Sequence, residues 1–176
     1  MGHVRKRAWP VLVLAALIAA PVAEAAKRPP RATLHAAGES VRLGPYSYGW
    51  MGPQGRGECV GVDGDGVPNY APRMSIPHRH GKPRVVLHRD RRPRIEDFRA
   101  HRALTGHGSV AGRGKRVRAR LFERRRGGEV VAWVIAFRVD VVDRPYFRLE
   151  LRYPERGSAS CPSGGYADYG FGIARE

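Results

Sequence analysis

The 176-residue chain carries 32 Lys and Arg against 16 Asp and Glu, a formal net charge of +16. That length fits one domain with a hydrophobic core of its own and excludes a miniature fold held only by disulfides. So positive a surface attracts polyanions: nucleic acid, phosphate-bearing wall polymers, acidic polysaccharide or anionic lipid. Lys stands only at positions 6, 27, 82 and 115, so nearly all of the positive charge is Arg. With abundant Ala, Gly and Val, that bias matches GC-rich coding, which sets composition without selecting for a ligand. The charge is therefore weighed both as a binding surface and as mere composition.

Arg5, Lys6 and Arg7 precede an apolar stretch from Ala8 to Val22, which closes on Ala23-Glu24-Ala25. A basic start, an apolar middle and small residues where a signal peptidase cuts make residues 1–25 a cleavable signal peptide. The mature chain is then secreted or extracytoplasmic. The rival is a membrane anchor, which needs about 20 apolar residues to cross the hydrocarbon core. This stretch is shorter and holds Pro10 and Pro21. No Cys lies near the cut, which excludes a lipobox. No transmembrane segment is expected after cleavage, and export argues against an intracellular nucleic-acid partner.

Residues 26–39, with Pro29 and Pro30, read as a flexible lead-in, and residues 40–176 as a single domain. Val41 and Leu43 flank Arg42, and Tyr46, Tyr48 and Trp50 recur at every second position, a strand signal. Gly and Pro dominate from Gly49 to Pro72, which predicts a long turn-rich loop carrying Cys59. Val85 to His88 reads as a short buried strand. Pro93 to Leu104, with Ile95 and Phe98 three apart and Gly106 beyond, reads as a short helix.

Alternation is clearer further on. Val117, Ala119 and Leu121 oppose Arg116, Arg118 and Arg120, and Gly127-Gly128 sits where a hairpin turn belongs. Val131, Trp133, Ile135, Phe137, Val139 and Val141 would make one face of a long strand. Phe147, Leu149 and Leu151 then point inward against Arg148, Glu150 and Arg152. These consecutive strands read as a meander with one buried and one wet face. The fold class is all-β: a single Ig-like β-sandwich of antiparallel strands, with a long N-terminal loop and at most one short helix.

Cys59 and Cys161 are an even count outside the signal, so in an exported chain they read as a disulfide. The block Tyr46-Ser47-Tyr48-Gly49-Trp50, followed by Cys59 and then Asp65-Gly66 and Pro68, resembles the opening of small secreted β-sandwich proteins of high-GC bacteria. That resemblance implies fold and location and supplies no active site.

Asp63, Asp65 and Asn69 offer the oxygen ligands that calcium prefers, on a stretch that lacks the first Asp of extracellular calcium repeats and the distal Glu of an EF-hand. A plain polar turn explains them as well. His78, His80 and His88 with Asp90 are the histidine cluster, set among arginines that repel a metal ion. Ser109 beside His107 misses the spacing of a nucleophile elbow. Tyr153, Tyr166, Tyr169 and Phe171 would either stack on sugars or fill the core. The best ground for binding is the Arg series. Arg116, Arg118 and Arg120 share a face at about 6.6–7 Å spacing if extended, and Arg124, Arg125 and Arg126 follow. Guanidinium groups pair bidentately with phosphate or sulfate.

The sequence thus reads as an exported, non-enzymatic binding or structural module with no catalytic residues and no cofactor. Its basic face meets an anionic envelope polymer or lipid surface. A calcium-dependent carbohydrate-binding or adhesion domain and a small secreted hydrolase are the alternatives.

Overall fold

The computed structural model describes residues 29–54, 58–70, 72–76, 82–88, 91–138, 144–158 and 161–175. Residues 1–25, read above as a signal peptide, and His78, His80, Asp90, Val139 and Val141 lie outside the described residues. Among the described residues twelve strands follow one another: β1 (Ala32–Ala36), β2 (Glu39–Leu43), β3 (Ser47–Gln54), β4 (Glu58–Asp65), β5 (Pro72–Ile76), β6 (Arg84–Leu87), β7 (Arg94–His101), β8 (Lys115–Arg116), β9 (Ala119–Arg126), β10 (Glu129–Phe137), β11 (Tyr146–Ser158) and β12 (Cys161–Arg175). They form two sheets, β2-β1-β6-β10-β9 (sheet A) and β4-β3-β12-β11-β7-β8 (sheet B). The sheets pack face to face as the predicted β-sandwich. All pairs are antiparallel except β5, which runs parallel to the end of β12.

Each sheet turns one face inward because its strands alternate. From sheet A come Leu34, Val85, Leu87, Ile135 and Phe137, and from sheet B Phe98, Phe147, Leu149, Tyr169 and Phe171, all nearly inaccessible. A knot of phenylalanines joins the two. Phe98 meets Phe137 across the sheets at 4.9 Å between ring centroids, and Phe147 stacks on Phe171 at 5.3 Å. Rings at such separations add to the stabilisation from their buried area. Cys59 and Cys161 form the predicted disulfide, with Cα atoms 5.2 Å apart. It joins β4 to β12 within sheet B, whereas immunoglobulin domains pin one sheet to the other.

Several sequence expectations are corrected. The lead-in gives way at Ala32: Leu34 is fully buried, and β1 lies between β2 and β6. The segment expected to be a loop after Gly49 is largely the β3–β4 hairpin. Its glycines serve close approach as well as turning. A side chain at Gly165 of β12, whose φ is +154°, would strike the Gly49 carbonyl of β3, and the Tyr48 ring lies over Gly64. The expected helix is β7. A bulge at Glu96 leaves Asp97 opposite Glu150 and Ile95 opposite Leu151, so Ile95 and Phe98 both reach the core although three residues apart. That spacing imitates a helix.

A second bulge lies between Val130 and Ala132. Val130 packs on the core while Val131 is exposed, so Val131 is not on the face of Trp133 and Ile135. The Gly127-Gly128 hairpin stands as predicted, with both glycines at positive φ. The meander does not. β9 and β10 belong to sheet A, whereas β11 pairs with β7 and β12 in sheet B. β12, the Gly- and Tyr-rich end, is an interior strand of sheet B.

Candidate anion-binding face

The predicted Arg ladder is divided between the sheets. Arg116 lies on β8 at one edge of sheet B, Arg118 in the step between sheets, and Arg120 on β9 at one edge of sheet A. The amide of Val117 donates to the Phe98 carbonyl at 2.8 Å as the chain leaves sheet B. Val117, Ala119 and Leu121 still pack on the core, and the three arginines are exposed. A single strand cannot serve two sheets without such a step, so the three guanidinium groups do not form one ladder. Arg125 is spoken for: its Nε donates to Glu123 at 2.6 Å and its Nη1 to the Gly128 carbonyl at 2.7 Å, bracing the hairpin.

Arg120 and Arg124 instead join residues from distant parts of the chain on the outer face of sheet A. Registers place His35 opposite Arg84, Arg84 opposite Ala136, and Ala136 opposite Arg120. The neighbouring row runs Arg42, Thr33, Val86, Val134, Phe122. His88 follows β6 on the same side, its Nε2 2.9 Å from the Thr33 hydroxyl. Partial burial, then the charges of Arg84, His88 and Arg124, hold His35 below the usual histidine range.

The floor between the cations is apolar. Val86, Ala132 and Val134 are buried in a small cluster of their own, apart from the main core. Phe122, by contrast, is 48 % exposed. Among the described residues no carboxylate stands in either row. The first acid met along β9 and β10 on this side is Glu129, opposite Arg126 at the hairpin tip. At about 4.8 Å per strand, the row from β2 to β9 spans about 19 Å. Among the described residues of its two central rows the face sets Arg and His side by side without an acid, an arrangement suited to an external anion.

The opposite face of the molecule is built differently. Asp97, Glu150, Asp168, Ser47 and Asp65 occupy one row across sheet B. Two of these four acids are answered locally: Arg99 Nε lies 2.6 Å from Asp97 and Arg148 Nη2 2.7 Å from Glu150. Burial, reinforced by Glu150 and opposed by Arg148, pushes the Asp168 carboxyl up to about 6. Burial also raises the neighbouring Tyr46 and Tyr70 hydroxyls. An acid raised in the folded state binds its proton more tightly there than in the unfolded chain. Asp168 therefore costs no stability below its unfolded value near 3.8, and its cost grows as pH rises to about 6. Asp168→Asn should stabilise the protein at pH 8 by about 1 kcal/mol, discounted for the exposed half of the group. The gain should fade by pH 4. Thermal melting at the two pH values checks it, and a gain equal at both would contradict this origin.

The other predicted residues disperse. Asp63 and Asp65 project from strand β4 on the outer side of sheet B, opposite Gly49 and Ser47, and not from a turn. Asn69 lies beyond β4 in the segment leading to Tyr70. Among the described residues no three His, Cys, Asp or Glu side chains gather as metal ligands would. Ser109 and His107 occupy an exposed turn, in which the Thr105 amide donates to the Ser109 carbonyl at 2.7 Å. Tyr153, Tyr169 and Phe171 are core residues, so of the aromatic group only Tyr166 offers a surface.

His35, Arg42 and Arg84 are absent from the sequence-based list of anion ligands. The alternation of Arg42 with Val41 and Leu43 was a usable signal. His35 and Arg84 emerge only once β1, β6 and β10 are known to be neighbours. No protein-family model, curated protein or solved structure matches this chain. The functional reading rests on its own residues.

Proposed function

We propose that the mature, exported chain is a non-enzymatic binding module of the cell envelope or extracellular space that holds an anionic partner on the outer face of sheet A. One observation carries this reading: His35, Arg84, Arg120 and Arg124 share one outer sheet face on which, among the described residues, no carboxylate stands short of Glu129 at the hairpin tip. Charges of one sign gathered on a surface raise the potential above it and draw in counter-charged polymers or surfaces. The contrast with sheet B supports the assignment. There the arginines are matched by acids on the same strands, as in Arg99 with Asp97 and Arg148 with Glu150.

The test is co-sedimentation of the mature, oxidised protein with purified cell envelopes. Binding should be retained at low salt and fall away as ionic strength rises, because exposed charge contacts are screened. The pair Arg84→Gln and Arg124→Gln should weaken it about tenfold or more, at ~1 kcal/mol per arginine near an anionic surface. Arg116→Gln, on the edge of the other sheet, should leave it unchanged. Failure to sediment at low salt would end the proposal.

A further inference from the structure

Charge alone does not account for the whole of this face. Phe122 stands on β9 between Arg120 and Arg124, on the outward side of the strand. It continues the apolar floor of Val86 and Val134 to the edge of the sheet, where it is 48 % exposed. Val131, displaced by the bulge on the adjoining strand, is 42 % exposed. Phe122 is thus an exposed apolar side chain at the edge of the sheet, bordered on its own strand by Arg120 and Arg124, with Val131 and Arg126 lying further toward the hairpin tip.

A soluble phosphate polymer would satisfy the guanidinium groups and leave this edge in water. A bilayer interface satisfies both. It presents phosphate at headgroup level and, just beneath, an acyl boundary into which aromatic and aliphatic side chains sink. The edge position matters as well. Among the described residues β9 has no neighbour beyond it in sheet A, so no further described strand stands between Phe122 and a surface.

Resting on the basic-face reading above, we infer that the anionic partner is a phospholipid surface. Phe122 enters the interface while Arg84, Arg120 and Arg124 engage lipid phosphates around it. Binding then has two separable parts. The arginines supply attraction that any polyanion can share, and Phe122 supplies a contribution that only a bilayer can.

Three probes separate these parts: vesicles of phosphatidylglycerol mixed with phosphatidylcholine, vesicles of phosphatidylcholine alone, and inorganic polyphosphate. The mature protein should float with the anionic vesicles and not with the neutral ones. Phe122→Ala should lower partitioning into anionic vesicles about tenfold, as expected when roughly half a phenylalanine side chain loses its burial. Its binding to polyphosphate should stay within about twofold. Arg84→Gln should weaken both about fivefold. Phe122→Trp reports the geometry directly. Trp50 and Trp133 are buried, so a blue shift in emission with anionic vesicles, absent with polyphosphate, places the new ring in the interface. Melting midpoints of both variants confirm that the fold is intact.

Equal vesicle binding by Phe122→Ala and the parent, or no blue shift from a vesicle-bound Phe122→Trp, would overturn the inference. So would binding to polyphosphate with none to anionic vesicles, although the basic-face reading would then stand. Binding to neither polyphosphate nor anionic vesicles would remove both.

Discussion

Replacing Phe98 with alanine is expected to destabilise the domain by about 3–5 kcal/mol, the range for deleting a buried aromatic ring. Phe98 is 2 % exposed and lies against Phe137, Phe147 and Phe171. Its contact with Phe137 is made across the sandwich, because β7 belongs to sheet B and β10 to sheet A. Truncation would leave a cavity between two sheets whose backbones are fixed by their own ladders, so little collapse can refill it. Against a total stability of about 5–15 kcal/mol, that loss leaves a domain close to unfolding. The melting midpoint should fall on the order of 10 °C. Phe122→Ala provides the comparison, since the same chemical change at a half-exposed edge position should move the midpoint by far less. Equal shifts for the two variants would mean that Phe98 is not at the centre of the core.

The parts of the fold legible in the sequence are those where a strand is regular and flanked by turn residues. β9 and β10 meet at Gly127-Gly128, and β11 alternates Phe147, Leu149 and Leu151 against Arg148, Glu150 and Arg152, so period two suffices. Two physical causes hide the rest. Bulges break the period: Glu96 makes β7 look helical, and the Val130–Ala132 bulge shifts Val131 to the outside. Glycine inside strands is the other cause. At Gly49, Gly64 and Gly165 it serves the close passage of backbone and tyrosine rings, while in a sequence it signals a turn. The candidate site was only partly legible for a different reason. His35, Arg84 and Arg120 are neighbours through three long-range strand pairings, and no local pattern encodes which strands lie side by side.

The same topology explains how one basic chain presents two unlike faces. An arginine and an acid two residues apart on a strand share a side, so Arg148 and Glu150, or Arg99 and Asp97, neutralise one another wherever they fall in the sheet. β1, β6 and the outward positions of β9 up to Arg124 carry no such acid among the described residues. Their cations are left to face outward together. On β9 this also guards an exposed edge, since a strand bristling with Arg is a poor template for pairing with another chain. Solubility and the proposed anion binding would fall to the same residues, and the Phe122 and Arg84 variants distinguish them: a protective role needs neither residue for binding.

Removing the disulfide should have an effect nearly as large as that of Phe98. Cys59 and Cys161 are separated by 102 residues, and closing a loop of that size is nominally worth about 4–5 kcal/mol, with about 2–4 realised in practice. The bond lies where β-pairing alone is least secure. Among the described residues β4 is an edge strand paired with β3 alone, and the β3–β12 ladder ends at Met51 and Gly164, short of both cysteines. The disulfide therefore ties an outer strand to an interior one past the point at which hydrogen bonds stop. The double variant Cys59→Ser, Cys161→Ser, which leaves no lone thiol, should melt on the order of 10 °C lower than the oxidised parent. Reducing agent should bring the parent down to the same midpoint and leave the variant unmoved. Fraying should be confined first to β4 and the end of β12, so amide exchange there should accelerate before that of β6 or β11. A parent whose midpoint is unaffected by complete reduction would show that β4 and β12 need no covalent tie.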